Sequence, residues 1–340
     1  MARNVESGTG KSDIASSGVP GLRIRRLDAP ADYRRMNEIA NASRMAQNDG
    51  FYTNDEQFQG FYEQIERTDN CDLARDLFLA ELDGRLVAYV RAAWYDEPRA
   101  RVYQPITFLD PAVATRPIYD ALLDVAERRL AEIAEGHPPG PKVARMTAFE
   151  APFVAALEAR GYRPVRHFYT MVRPTLDDLP DADLPAGLEI REVRPEHMEA
   201  IFQAQTEALR DHWGFAEPGE RERQEFFNDP VRSDTSLWRV AWDGDQVAGM
   251  VRSFIHPEQN ARLGVQRGWV EHISVRRPWR RRGLARALIA ASFPLLRERG
   301  MTEGALGVDT QNESGALRVY ERCGFEVVSQ TSDFSRTMES

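Results

Sequence analysis

Residues 269–288 read WVEHISVRRPWRRRGLARAL and decide the fold prediction. The first seven alternate and predict a strand. One face of that strand carries Trp269, Glu271, Ile273 and Val275, and the other carries Val270, His272 and Ser274. Apolar residues then recur at helical spacing and predict a helix over residues 284–299; they are Leu284, Leu288, Ala291 and Leu295. The segment therefore predicts a strand, a tight turn and a helix.

The turn before this helix has the features of an anion site. The first N–H groups of a helix have no partners within it and carry partial positive charge. Gly283 allows a ligand to approach the backbone closely. Five arginines surround the turn: Arg276, Arg277, Arg280, Arg281 and Arg282. The expected ligand is a phosphate ester, and the alternative is a solvated basic loop before an ordinary helix.

Composition restricts the class of protein. The chain has 340 residues, 42% hydrophobic and 29% charged, which is typical of about two globular domains. Its two cysteines, Cys71 and Cys323, exclude a disulfide framework and a cysteine-rich zinc site, and we expect no bound metal. A net charge of −9 argues against nucleic acid binding. With no long apolar run and a polar N-terminus, we expect a cytoplasmic protein without membrane contact.

Three pairs of similar segments recur in the same order, 160 to 166 residues apart. They are an opening strand at Gly21 and Gly187, a hairpin at Asp83-Gly84 and Asp243-Gly244, and a Gly-aromatic turn at Gly161 and Gly324. This order indicates a duplicated domain. The predicted organisation is a flexible tail (1–20), a first domain (21–172), a Pro- and Asp-rich linker (173–186) and a second domain (187–340).

The second copy contains a recognisable pair of motifs. Arg280-x-x-Gly283-x-Ala285 after a strand resembles the acetyl-CoA motif of the GNAT superfamily of N-acetyltransferases. Downstream, Asn312, Tyr320 and Gly324-Phe325 resemble the helix and closing turn of that family. The resemblance implies an α/β (α+β) fold of two tandem GNAT-like domains, each a mixed, mostly antiparallel sheet flanked by helices. The tandem arrangement resembles that of mycothiol synthase and related two-domain enzymes.

The resemblance also implies a binding site for acetyl-CoA as co-substrate. Its pyrophosphate would lie on the amides of the turn, namely those of Arg280, Arg281, Arg282, Gly283, Leu284 and Ala285. The backbone of Ile273 and Val275 would pair with the pantetheine arm, and Asn312 would hydrogen-bond to it. The alternative for Asn312 is a cap of the following helix.

Chemistry on an acetyl thioester needs a neutral amine, whereas an alkyl ammonium has a pKa of about 10.4. We predict Glu271 as the base and Tyr320 as the proton donor to the leaving thiolate. A backbone N–H near Val275 would stabilise the oxyanion. The alternatives are a surface carboxylate at Glu271 and a packing aromatic at Tyr320. The rival base, His272, falls on the opposite face of the strand if the alternation holds.

The segment after the first helix of the second copy is predicted to bind the acceptor, through His212, Trp213 and Phe215. Together with Asp211, an aromatic pair and an imidazole suit a cationic amine; the alternative is a loop that packs its aromatics on the core. The expected partner is a small-molecule amine, and a homodimer stays open.

The first copy lacks the motif residues. Gly283 aligns with Pro117, Ala285 with Tyr119, Asn312 with Phe149 and Tyr320 with Leu157. Since proline has no N–H and tyrosine blocks close approach, we predict a degenerate copy without productive acetyl-CoA binding. The predicted function is acetyl-CoA-dependent N-acetyl transfer to a primary amine. The alternatives are a non-catalytic acyl-CoA sensor on the same fold and O-acyl transfer.

Overall fold

The computed structural model divides the chain into two compact units. It describes residues 15–16, 18–47, 52–67, 70–178, 182–212, 215–229, 231–311 and 315–338. Unit 1 comprises Met1–Ala46, Thr53–Val165 and Ser332–Ser340, and unit 2 comprises Gln47–Tyr52 and Arg166–Thr331.

Unit 1 contains both helices and strands. Its helices are α1 (Tyr33–Ala46), α2 (Asp55–Arg67), α3 (Leu73–Asp76), α4 (Arg116–Glu135) and α5 (Ala151–Ala159). Its strands begin with β1 (Ala15–Ser16), β2 (Leu22–Arg26), β3 (Leu77–Leu82), β4 (Arg85–Glu97), β5 (Ala100–Leu109) and β6 (Lys142–Ala148). Strand β1 lies within the segment predicted as a tail, and most of the rest of that segment falls outside the described residues.

The sheet of unit 1 runs β1-β2-β3-β4-β5-β6. All neighbours are antiparallel except β5 and β6, which pair in parallel. Asp83 and Gly84 form the turn between β3 and β4, both with positive φ (50° and 80°), as a primed hairpin turn requires. The apolar face of α4, including Leu122 and Leu123, is fully buried in the core.

Unit 2 has a similar order of elements. Its strands are β7 (Arg163–Arg173), β8 (Glu189–Arg191), β9 (Trp238–Asp243), β10 (Gln246–Ile255), β11 (Arg267–Val275) and β12 (Glu303–Asp309), and the chain ends in β13 (Glu326–Thr337). Its helices are α6 (Met198–Leu209), α7 (Glu220–Asn228), α8 (Pro257–Leu263), α9 (Leu284–Glu298) and α10 (Ala316–Arg322).

The sheet of unit 2 runs β7-β12-β11-β10-β9-β8, and only β11 and β12 are parallel. Helix α9 packs on one face of this sheet, where Leu288 and Phe293 share a buried core with residues of β10 and β11. Helices α6 and α7 pack on the other face through Phe202 and Phe226. The mixed, mostly antiparallel sheet flanked by helices, predicted for both copies, is confirmed.

Two strands join the sheet of the other copy. Residues 168–173 of β7 pair with β12 in unit 2, although the chain reaches them directly from unit 1. Residues 332–337 of β13 pair with β6 in unit 1 at the end of the chain. In the predicted linker, Leu176 is buried in the core of unit 2. A sequence repeat does not reveal which sheet a terminal strand joins.

Candidate active site

Strands β11 and β12 separate beside the first predicted site residue. Their parallel ladder covers three pairs, from Arg267↔Glu303 to Trp269↔Ala305, whereas both strands continue further. Beyond the ladder, Glu271 Oε1 accepts a hydrogen bond from the amide of Gly307 at 2.8 Å. Gly307 is the residue that the register would place opposite Glu271. A carboxylate therefore bridges the two strands where a backbone bond would otherwise form.

A β-bulge follows Glu271 and changes the face of each later residue. Arg252 pairs with Glu271 and Met250 with Ser274, so His272 and Ile273 together oppose Val251. His272 has a left-handed φ of 50°. Because cross-strand partners share a face, Ser274 lies on the face of Glu271. The predicted alternation, which put Ile273 and Val275 on that face, is wrong beyond Glu271.

The predicted turn leads into α9 at Leu284, the residue that the sequence indicates. Gly283 is the N-cap, with a φ of 88° and no side-chain cap. The amide of Ala287 donates to the carbonyl of Gly283 at 3.1 Å and closes the first helical turn. Earlier amides have no intrahelical acceptor. A Cβ built on Gly283 would meet nothing within 4 Å, so the backbone at this position is open to a ligand such as an anionic group at the helix start.

Three of the five arginines tie this turn to the end of α6. Arg276 Nε donates to Glu207 at 2.8 Å, and Arg280 Nη1 donates to Asp211 at 2.6 Å. Arg277 also donates to Asp211. Hydrogen bonds from Arg277 and then Arg280 hold the pKa of Asp211 well below its usual value. These ion pairs neutralise part of the positive charge that the sequence places at the turn.

The remaining two arginines, Arg281 and Arg282, are exposed. Arg281 has a left-handed φ of 59°, and Arg282 Nη2 donates to the carbonyl of Ala186 at 3.3 Å. Of the other predicted cofactor residues, Leu284 is buried, and Ala285, Ile273 and Val275 are half-buried. Val275 accepts a hydrogen bond from Arg280 Nε through its carbonyl at 2.9 Å.

Tyr320 lies on α10 with its side chain buried and its ring 6.5 Å from that of Phe325. Burial, and then the negative charge of Glu271, raise the pKa of Tyr320 above its usual value. The phenol is therefore protonated at neutral pH, and the two predicted catalytic groups interact electrostatically. Asn312, the predicted cofactor contact, lies outside the described residues.

His212 follows α6 and is exposed to solvent, and partial desolvation of its ring lowers its pKa. The charged groups that also act on it include Asp309, at the end of β12, and Arg280. The amide of Phe215, which is half-buried, donates to the carbonyl of His212 at 3.3 Å. Trp213, the third predicted acceptor residue, lies outside the described residues.

The structure adds polar residues that the sequence prediction missed. Arg166 Nε, on β7, donates to Asp309 at 2.9 Å, so a strand reached from unit 1 contributes a charge near His212. Arg252 is buried on β10, directly opposite Glu271. The sequence alone could have identified Arg252, because it is the one charged residue in the apolar run of residues 247–255.

In unit 1, the helix that aligns with α9 begins with larger residues. Helix α4 has proline in its first turn, at Pro117. Tyr119 is buried, its ring stacks on Phe153 at 4.4 Å, and its hydroxyl donates to Glu150. An aromatic side chain thus occupies the position that aligns with Ala285.

Comparison with known proteins identifies the family. The profile of the Acetyltransferase (GNAT) family matches residues 198–325. A mycothiol acetyltransferase of Rhodococcus jostii (strain RHA1) is 30% identical over 227 residues, which cover 64% of this chain and 69% of that protein. The chain belongs to the GNAT acetyltransferase family. A mycothiol acetyltransferase of Salinispora arenicola (strain CNS-205) is 31% identical over 195 residues, 55% of this chain. The chain spans about three fifths of that relative (60%) and of one from Thermobispora bispora (59%).

Solved structures share the tandem GNAT fold. A GCN5-related N-acetyltransferase from Sphaerobacter thermophilus has a TM-score of 0.68 at 22% identity, covering 95% of this chain and 97% of that one. A tandem GNAT protein from the clavulanic acid biosynthesis pathway has a TM-score of 0.56 at 14% identity, covering 94% and 99%. The predicted tandem GNAT organisation is confirmed. Among the described residues, no helix is both long and apolar enough to span a membrane.

Proposed function

We propose that this protein is an acetyl-CoA-dependent N-acetyltransferase that acts on the primary amine of a small molecule. One observation carries the proposal: the Glu271 carboxylate bridges the separated strands β11 and β12 and acts electrostatically on the buried Tyr320 hydroxyl. Amine acylation requires a base and an acid near the reacting groups, and these two residues are the proposed pair. The mycothiol acetyltransferase relatives, named for acetyl transfer, support this proposal.

The backbone at the start of α9 is the proposed site of the cofactor pyrophosphate. The amides of Gly283, Leu284 and Ala285 precede the first intrahelical bond, and a Cβ on Gly283 would meet open space. Arg281 and Arg282, which are exposed, add positive charge. The edge of β11 beyond its ladder with β12 is the proposed site of an extended arm, at Ile273 and at the amide of Val275, whose carbonyl accepts from Arg280 Nε. Acetyl-CoA supplies the activated acetyl group as a thioester.

Glu271 is the proposed base and Tyr320 the proposed acid. The amide of Gly307 fixes one oxygen of Glu271 at the gap between the strands. The carboxylate takes a proton from the acceptor ammonium, directly or through water. Tyr320 holds its proton because burial raises its pKa, and it gives that proton to the departing sulfur.

The test is a panel of primary amines assayed for release of the free CoA thiol. We expect turnover with at least one amine, and a loss of about 10²-fold or more in Glu271→Gln. Cofactor binding without turnover by any amine would instead favour the sensor alternative. Turnover that survives the combined Glu271→Gln and Tyr320→Phe change would overturn the assignment of the site.

We further propose that unit 1 does not bind acetyl-CoA productively. Pro117 lacks an N–H at the helix start, and the buried Tyr119 occupies the aligned position of Ala285. Calorimetric titration should give one acetyl-CoA per chain. A stoichiometry of two would contradict this proposal.

A further inference from the structure

Arg252 is a buried cation beside the proposed base. Its residue is 4% exposed, and it is the cross-strand partner of Glu271 on β10. Cross-strand partners share a face of the sheet, so both side chains start from the face covered by α6 and α7.

The charge of Arg252 has no carboxylate partner among the residues that the structure describes. Its Nη1 donates to the neutral amide oxygen of Gln205 at 3.2 Å, and its buried Nε donates to no acceptor. Asp229, the acid that acts on it electrostatically, is already bonded to Arg232 Nη1 at 3.2 Å and to two amides.

Aromatic contacts compensate only part of the cost of burying this cation. The guanidinium carbon lies 4.2 Å from the ring centroids of both Phe226 and Trp238. Cation–π contacts are weaker than the desolvation penalty of a buried ion. Burial accordingly lowers the pKa of Arg252 to about 9, and the nearby Arg232 adds repulsion. A buried arginine in this state lacks an anion.

We propose that Arg252 binds an oxyanion, a carboxylate or a phosphate, carried by the acceptor itself. Guanidinium groups bind both anions through paired N–H donors. The acceptor class is therefore a primary amine that also bears a carboxylate or phosphate group. This inference rests on the proposed function, since it names the substrate class of the same site.

The test compares matched acceptors in the CoA-release assay. The pairs are serine with ethanolamine for the carboxylate, and O-phosphoethanolamine with ethanolamine or glucosamine 6-phosphate with glucosamine for the phosphate. We expect kcat/KM to be at least about tenfold higher for the anionic member of one series. Arg252→Met should abolish that preference through the KM of the anionic amines.

Arg91 provides the matched control. It pairs with Leu77 in unit 1 as Arg252 pairs with Trp238 in unit 2, and its buried Nε also lacks an acceptor. Arg91→Met should keep the preference of the unmodified protein. The same preference in Arg252→Met, or a preference for the neutral amines in the unmodified protein, would overturn the inference.

Thermal shift measurements separate this inference from the proposed function. At constant ionic strength, inorganic phosphate or acetate should raise the unfolding temperature of the unmodified protein and of Arg91→Met. The shift should be smaller in Arg252→Met, where phosphate retains only the proposed pyrophosphate site, and Arg252→Lys should retain part of the difference. If no amine is acetylated but these shifts occur, the proposed function is wrong, whereas the proposed anion site is supported. If neither anion produces a shift that depends on Arg252, the anion site is wrong.

Discussion

At the scale of single residues, the proposed chemistry depends on the carboxylate of Glu271. Glu271→Gln preserves the size of the side chain and an oxygen for the amide of Gly307, but it removes the base. We expect kcat to fall by about 10²- to 10⁴-fold while acetyl-CoA affinity stays within about threefold. Steady-state kinetics and calorimetry measure the two quantities. An unchanged kcat would exclude Glu271 as the base.

The hydroxyl of Tyr320 gives a second prediction, with a pH dependence. Because burial raises its pKa, the phenol keeps its proton well above neutral pH, so its ionisation should not lower kcat between pH 7 and 9. Tyr320→Phe should reduce kcat by about 10²-fold. Tyr162→Phe is the control, since it removes a buried hydroxyl from unit 1 that donates to Glu127 at 2.7 Å. An equal loss in both variants would indicate a structural effect.

His272 predicts how stability depends on pH. Burial, with the nearby Arg252 and Arg232, lowers its pKa from 6.5 to about 3. The unfolded chain therefore binds a proton that the folded chain does not, and stability is lost as the pH falls from about 6.5 towards 3. His272→Asn, which tolerates the left-handed φ, should flatten this slope of the unfolding free energy in denaturant titrations. A slope as steep in the variant would exclude His272 as its source.

At the scale of secondary-structure elements, the sequence predicted those features that depend only on residues close together in the chain. Aspartate-glycine turns gave both hairpins, and the apolar spacing placed the start of α9 at Leu284. The bulge at His272 and Ile273 depends on pairing with β10, which the sequence of β11 alone does not contain. The alternation consequently failed after Glu271. Likewise, Arg277 and Arg280 both pair with Asp211, which lies 66 and 69 residues before them in the chain.

The turn before α9 can be tested by a matched pair of glycine variants. Gly283 and Gly264 have φ values of 88° and 67°, and a Cβ on either would meet nothing within 4 Å. Alanine at each position should cost roughly 1 to 2 kcal/mol of stability through backbone strain. Only Gly283→Ala should also raise the KM for acetyl-CoA, since Gly264 follows α8. Equal KM values in both variants would contradict the proposed pyrophosphate site.

At the scale of the whole molecule, the repeat predicted two copies of one fold, which the structure confirms. The repeat did not predict that β7 pairs in the sheet of unit 2 and β13 in the sheet of unit 1. The order of strands within each copy is the same whichever sheet its last strand joins. Residues 332–337 lie opposite residues 143–148 of β6. The last strand of the chain therefore completes a unit whose other strands precede residue 149.

This pairing predicts that the end of the chain stabilises unit 1. Phe334 is 3% exposed and belongs to the core of unit 1, so Phe334→Ala should cost about 3 to 5 kcal/mol. Val328, on the same strand, is 47% exposed, and Val328→Ala should change stability by less than about 0.5 kcal/mol. Hydrogen exchange should speed up at residues 143–148 in Phe334→Ala alone. If Phe334 anchors β13, its removal should expose the paired amides of β6 to exchange. Unchanged protection there would mean that β13 does not stabilise β6 in solution.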